Sequence, residues 1–159
     1  MTFNIRHANK SDMPHVLKLI KELAIFEKEP DAVEVTVSDL ENDGFGNNPA
    51  FHCFVAEVNN NIEGMALIYY RYSTWKGKTL HLEDLIVSES MRGSGIGSAL
   101  LDEVVKYGAR LRVRRITWEV LDWNEPAIVF YEKNGANVMR DWNVVHLDEQ
   151  GIKNYISKL

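Results

Sequence analysis

His81-Leu82-Glu83-Asp84-Leu85-Ile86-Val87, followed by Ser88-Glu89-Ser90-Met91 and Arg92-Gly93-Ser94-Gly95-Ile96-Gly97-Ser98, reads as an apolar strand feeding a glycine-rich loop that opens a helix. Glycines at three alternate positions strip side chains from the turn. Backbone N–H groups can then close on phosphate oxygens while the helix N-terminus adds partial positive charge. The stretch predicts a cradle for a phosphate-bearing ligand. Two common ones do not fit. A Walker loop continues from its last glycine into Lys, and here Ser98 follows Gly97. A dinucleotide fold needs Gly-x-Gly-x-x-Gly, whereas this loop runs Gly-x-Gly-x-Gly. A turn that merely caps a helix is the plainer reading, but three glycines would weaken such a start.

The chain has 159 residues, 45% of them hydrophobic, which suits one domain over 1–159 with a real core. A formal net charge of −5 argues against a nucleic-acid surface and favours attraction of small cations. Cys53 is the sole cysteine, so no disulfide framework or cysteine metal cluster is expected, and the setting reads as cytoplasmic. Within Phe51-His52-Cys53-Phe54-Val55 it reads as a packed strand thiol. There is no leader-like N-terminus and no apolar run near the roughly 20 residues that span a bilayer, so a soluble protein without a membrane partner is expected.

Phe3, Ile5 and His7 alternate as a first strand, and Ser11-Asp12-Met13-Pro14 signals a helix whose apolar face is Val16, Leu17, Ile20, Leu23 and Ala24. Thr36-Val37-Ser38-Asp39 is a capping box for a short second helix. Strands over 51–58 and 62–72 flank Asn59-Asn60-Asn61, a hairpin turn because Asn tolerates left-handed angles. A strand over 79–87, a helix over 94–111 and a strand over 114–120 follow. Arg110, Arg112, Arg114 and Arg115 read as a solvated cap at the end of that helix. Asn124-Glu125-Pro126 starts a helix that ends at Asn134-Gly135, then come a final strand or pair over 136–147 and a short terminal helix. The order implies an α/β (α+β) fold, a mixed sheet with helices on both faces.

Strand side chains alternate faces, so adjacent Glu83 and Asp84 cannot both reach water if helices cover the sheet. Glu119, in Thr117-Trp118-Glu119-Val120, poses the same problem. Three acids beside a phosphate loop suggest an electronegative pocket for an amine, with mutual structural pairing as the plainer alternative. Tyr131, on the apolar run Ile128-Val129-Phe130-Tyr131, reads on spacing alone as core.

The loop Arg-Gly-x-Gly-x-Gly-Ser after an apolar strand resembles the pyrophosphate loop of the GCN5-related N-acetyltransferases (GNAT), which bind acetyl-CoA. Leu19-Ile20-Lys21-Glu22-Leu23-Ala24, Asp43-Gly44-Phe45-Gly46, Leu82-Glu83-Asp84 and Trp123-Asn124-Glu125-Pro126 with Phe130-Tyr131 are similar to the diamine acetyltransferase subfamily, the spermidine/spermine and thialysine acetylating enzymes. The similarity runs through nearly the whole chain. It implies a GNAT fold with a mostly antiparallel sheet, acetyl-CoA as co-substrate without a metal, a small-molecule amine as acceptor, and a homodimer to which Trp142 and the last strand contribute.

Carried over by position, the resemblance lays Leu85, Ile86 and Val87 along pantetheine. Arg92, Gly93, Ser94, Gly95, Ile96, Gly97 and Ser98 surround the pyrophosphate, with Asn124, Glu125, Pro126, Ala127 and Tyr131 near the other side of the cofactor. Phe26, Glu27, Glu83, Asp84, Thr117, Trp118 and Glu119 match substrate positions. Two departures stand out: Phe26 replaces a frequent tyrosine, and Arg140, in a shortened segment, lies near where an acid would engage a distal ammonium. A cation there disfavours long polyamines and favours a shorter amine or an amino acid such as thialysine.

An alkyl ammonium, with a pKa of about 10.4, cannot attack a thioester until it loses a proton. Glu83, acting through a water, is assigned as base and Asp84 as the charge that holds the ammonium, while the resemblance implies Tyr131 as the acid for the departing thiolate. His52, His81 and His146 are alternative bases. A protein or peptide amine acetyltransferase and a non-catalytic acyl-CoA-binding regulator are the rival readings.

Overall fold

The computed structural model describes residues 2–159, which form two compact units, one ending at Glu119 and one running Val120–Leu159. The first contains β1 (Asn4–His7), α1 (Met13–Phe26), α2 (Val37–Phe45), β2 (His52–Val58), β3 (Asn61–Ser73), β4 (Gly77–Val87), α3 (Ile96–Arg110) and β5 (Ile116–Thr117). The strands lie in the order β1-β2-β3-β4-β5, antiparallel except for the parallel pair β4–β5. This is the expected mixed sheet.

Local chemistry sets the ends of these elements. Asn59 and Asn60, with φ of 49° and 65°, make the β2–β3 turn from left-handed residues that Asn accepts at low cost. The Thr36 hydroxyl accepts from the Asp39 N–H at 3.2 Å while the Asp39 carboxylate accepts from the Thr36 N–H at 2.8 Å, closing the capping box of α2.

One face of the sheet carries Cys53, Val55, Met65, Leu67 and Ile86, which form a buried cluster with Met13, Val16 and Leu19 of α1 and Leu40 of α2. Alternation turns Phe54, Gly64 and Ala66 to the opposite face, where α3 packs. A Cβ on Gly64 would lie 3.0 Å from Ile96 Cγ2 and 3.1 Å from Leu100 Cδ1, so glycine is what lets α3 lie close. Ile96 and Leu100 are fully buried. Each contributes about 1.5–3 kcal/mol and together they anchor the helix whose first turn continues the glycine loop. Cys53 is buried and its thiol pushed up to about 12, a packed group rather than a reactive one.

Two expectations need correction. The strand expected over 114–120 is reduced to Ile116–Thr117. The final strand or pair expected over 136–147 is absent, since the described residues of the second unit form only α4 (Glu125–Lys133) and α5 (Glu149–Ile156) as regular elements. Trp142, Val144 and Val145 are 68, 58 and 88% exposed. β-propensity expresses packing on a paired and half-buried surface, and these side chains have neither a ladder nor a cover. No helix among the described residues is long and apolar enough to cross a membrane.

Candidate active site

Strand β4 pairs with β3 along its whole length, yet with β5 it pairs only at Leu80↔Ile116 and His81↔Thr117. Beyond His81 no strand among the described residues takes up this second edge. Backbone groups of residues 82–87 that turn away from β3 are therefore left to find another partner.

The glycine loop begins where this edge ends. The Ser88 N–H donates to the Glu63 carbonyl at 2.8 Å, and the Glu89 N–H donates to the Glu22 carboxylate of α1 at 2.7 Å. Gly93 and Gly95 have φ of +77° and +88°, and a Cβ on either would meet nothing within 4 Å. Backbone conformation, not crowding, demands glycine there. Gly97 has no such φ; a Cβ on it would sit 3.7 Å from Val87 Cγ2. Helix α3 starts at Ile96, so the first N–H groups of the helix, from Ile96, Gly97 and Ser98, precede its i→i−4 ladder. Arg92 lies over the Phe26 ring, 5.2 Å from its centroid, tying the loop to the end of α1.

The carboxylates owe their arrangement to a break in the β3–β4 ladder. Leu67 opposes Asp84 and Ile68 opposes Leu82, which leaves Glu83 unopposed on a β-bulge. Asp84 shares the face of Leu67, and the Tyr69 hydroxyl, from a residue packed on that same cluster, donates to Glu83 Oε2 at 2.8 Å. The bulge cancels the alternation that would have sent neighbouring acids to opposite faces. Burial, and then the charges of Glu83 and Glu27, raise Asp84 to about 6; no cation is among the groups acting on it. Partial burial also raises Glu27, at the end of α1.

His81 is buried, with Nδ1 3.0 Å from Thr117 Oγ1 and Nε2 3.6 Å from Glu83 Oε2. Burial lowers its pKa against the pull of Glu83, so the ring is neutral near pH 7. Trp118 is half-buried and Glu119 exposed. Of the other histidines proposed as bases, His52 lies among the Tyr70 and Tyr107 rings, at 6.3 and 5.7 Å, and His146 is exposed in the second unit. Of the arginine cap, Arg110 pairs with Glu103 at 2.9 Å and Arg115 donates to Ser73 Oγ.

In the second unit Asn124 caps α4, its Oδ1 accepting from the Ala127 N–H at 3.4 Å, with Glu125 and Pro126 in the first turn. Tyr131 is half-buried on this helix, and burial raises its hydroxyl above the ordinary value. The first unit thus sets Glu83 and Asp84 on β4 and Thr117 beside it on β5, with Glu27 acting on Asp84 and Arg92 of the following loop over Phe26, while Asn124, Glu125, Pro126, Ala127 and Tyr131 belong to one helix and its cap in the other. Sequence reasoning missed Tyr69 as a partner of Glu83 and weighed His81 only as a rival base. A usable signal for His81 is its place two residues before Glu83, on the same strand.

Residues 16–136 match the Acetyltransferase (GNAT) family. The chain is 40% identical to a Homo sapiens "Spermidine/spermine N(1)-acetyltransferase-like protein 1", over 84% of this chain and only 20% of that longer protein. It is 34% identical to the "Thialysine N-epsilon-acetyltransferase" of Bos taurus over 97% of both chains. Among solved structures, an integron cassette protein from the mobile metagenome of V. cholerae superposes with a TM-score of 0.80 at 22% identity, over 100% of this chain and 99% of that one.

Proposed function

The chain belongs to the GNAT family and is an N-acetyltransferase, and from that premise we propose that it transfers the acetyl group of acetyl-CoA directly to a primary amine of a small cationic acceptor, of the thialysine or short-diamine kind. The observation that carries this reading is the bulge on β4, which turns Glu83 and Asp84 to one side and leaves Asp84 raised to about 6 without a cation. An ammonium ion is the ligand such a site gains most from.

The residues fit the co-substrate. Gly93 and Gly95 hold left-handed turns open to solvent, the first N–H groups of α3 follow directly, and β4 keeps an unpaired edge at Leu85, Ile86 and Val87. In this reading residues 92–98 hold the pyrophosphate, 85–87 the pantetheine, and Asn124, Glu125, Pro126 and Ala127 the other side. Acetyl-CoA, when bound, supplies an activated thioester. Asp84 and Glu27 hold the ammonium, with Phe26, Thr117, Trp118 and Glu119 lining its approach. Glu83 takes its proton, directly or through a water, and the free amine attacks the acetyl carbonyl without a covalent enzyme intermediate. Tyr131, whose raised hydroxyl keeps its proton, gives that proton to the departing sulfur. Arg140 discriminates against long polyamines and accepts the carboxylate of an amino-acid substrate. In this reading residues 1–159 are a single acetyltransferase domain, in a cytoplasmic homodimer.

A second assignment of the base is favoured by one observation. Asp84, at about 6, titrates nearer neutrality than an ordinary carboxylate, as suits a general base. Release of CoA thiol from acetyl-CoA, measured against thialysine, lysine, putrescine, spermidine, spermine and a lysine peptide, tests the reading. Thialysine or a short diamine is expected to lead. Preference for the peptide points to a protein acetyltransferase, and acetyl-CoA binding without turnover of any acceptor points to a regulator. E83Q is expected to lower kcat/KM on the order of 10²–10⁴-fold; a larger loss in D84N than in E83Q moves the base to Asp84.

A further inference from the structure

Residue 83 has no cross-strand neighbour, because the ladder passes from Leu67↔Asp84 to Ile68↔Leu82 around it. Its side chain is half exposed. Such a glutamate has several rotamers open to it, and a base must hold one. Two neighbours converge on a single oxygen: the Tyr69 hydroxyl donates to Oε2 at 2.8 Å, and His81 Nε2 faces the same Oε2 from 3.6 Å.

We propose that Tyr69 and His81 are positioning residues that occupy Oε2 of Glu83 and so leave Oε1 as the oxygen that receives the proton of the acceptor amine. This rests on the assignment of Glu83 as base. A neutral imidazole carries one N–H, on either Nδ1 or Nε2. With the proton on Nδ1, the lone pair of Nε2 would face the carboxylate and repel it. With the proton on Nε2, the Thr117 hydroxyl donates to Nδ1 across 3.0 Å and the protonated nitrogen is the one that stands 3.6 Å from Oε2. The part-buried Thr117–His81 contact serves either tautomer, since a hydroxyl can donate or accept, and it is the carboxylate of Glu83 that favours the proton on Nε2. Ring contact at 5.2 Å between Tyr69 and His81 holds the two donors side by side. The other charged groups acting on this pair are Arg71 of β3 and Glu119 after β5, while Glu83 itself acts on Asp84.

The proton balance is simple. The amine loses one proton to Oε1, directly or through a water, and the half-exposed carboxyl returns it to solvent after each turnover. Tyr69 and His81 keep their protons throughout. Burial and the bond to Glu83 push the Tyr69 hydroxyl up to about 12, which suits a permanent donor.

The test compares Y69F, H81F, H81Q and E83Q by kcat, KM and the pH profile of kcat/KM with thialysine, after thermal melts confirm folding. E83Q establishes the base. Y69F is expected to lower kcat about tenfold, the worth of one hydrogen bond to a charged group, with KM for acetyl-CoA unchanged. Donors favour the charged form of a carboxylate, so losing one moves the acid limb of the profile to higher pH. H81F does likewise, and H81Q, which keeps an N–H near the imidazole Nε2, recovers most of the loss. If E83Q is inactive while Y69F and H81F keep the parent kcat and profile, positioning is overturned and the base assignment stands. Full activity in E83Q overturns both. Should H81F fail to fold, Y69F decides.

Discussion

Asp12, at the corner between β1 and α1, and Asp84, on the bulge of β4, are both carboxylates drawn out of water, and the chain treats them in opposite ways. Asp12 meets a guanidinium head on, with Arg6 Nη1 2.7 Å from Oδ2 and Nη2 3.1 Å from Oδ1, and it also accepts from the Asn9 N–H at 2.7 Å. The Arg6 bond holds its carboxyl below the ordinary range although burial opposes this. The same arginine reaches Glu57 through Nε at 2.7 Å. Asp84 has acids for neighbours and rises to about 6. At the first corner the protein supplies its own cation and the acid belongs to the framework. At the second it supplies none, and in the reading proposed above a positive ligand offsets the cost of burial.

Breaking the framework acid should have the larger effect on stability. D12A strands Arg6 beside Glu57 alone and leaves the Asn9 N–H without its acceptor; we expect a loss of about 3 kcal/mol in urea unfolding at pH 7. The folded pKa of Asp12 lies below its unfolded value, so its contribution is present above the ordinary 3.8 and is lost as pH falls through the folded value. The gap between parent and D12A should therefore narrow in acid.

D84N should move stability the other way. Its folded pKa lies above 3.8, so between 3.8 and about 6 the folded chain binds more protons than the unfolded one and loses stability as pH rises. Removing that charge should stabilise the protein by about 2 kcal/mol at pH 7 and change little at pH 4. The same variant should raise KM for the amine. A stabilised D84N with unchanged amine KM would make Asp84 a second framework residue and end the contrast.

R6K sharpens the comparison with the smallest change. Lysine keeps the charge but cannot fork to Asp12 while also reaching Glu57, and about 1 kcal/mol should be lost, read as a lower melting temperature without effect on turnover.

What the sequence makes legible here is local. The Thr36–Asp39 box, the Asn59-Asn60 turn, the Asn124 cap and the glycines at 93 and 95 each act through residues a few positions apart, and each lies where expected. Strands depend on partners, which is why β5 stops at Thr117 and 136–147 forms no strand. The conflict between Glu83 and Asp84 is visible as a violation of alternation. Its resolution is not, because a bulge depends on how residues are counted across β3, beyond the reach of the local pattern. Tyr69, fourteen residues from Glu83 across that hairpin, is hidden for the same reason.

The edge of β4 has a consequence apart from chemistry. A row of unpaired N–H and C=O groups on an extended strand is a template for another extended chain, and proteins commonly blunt such rows with charge, proline or a covering element. Beyond His81 the strand runs through Leu82, Leu85, Ile86 and Val87 with no pairing strand on that side among the described residues. In the reading proposed above, the pantetheine arm covers this row whenever acetyl-CoA is bound. In that reading the bound co-substrate has a second role besides chemistry, covering a row of backbone groups that could otherwise pair with another extended chain.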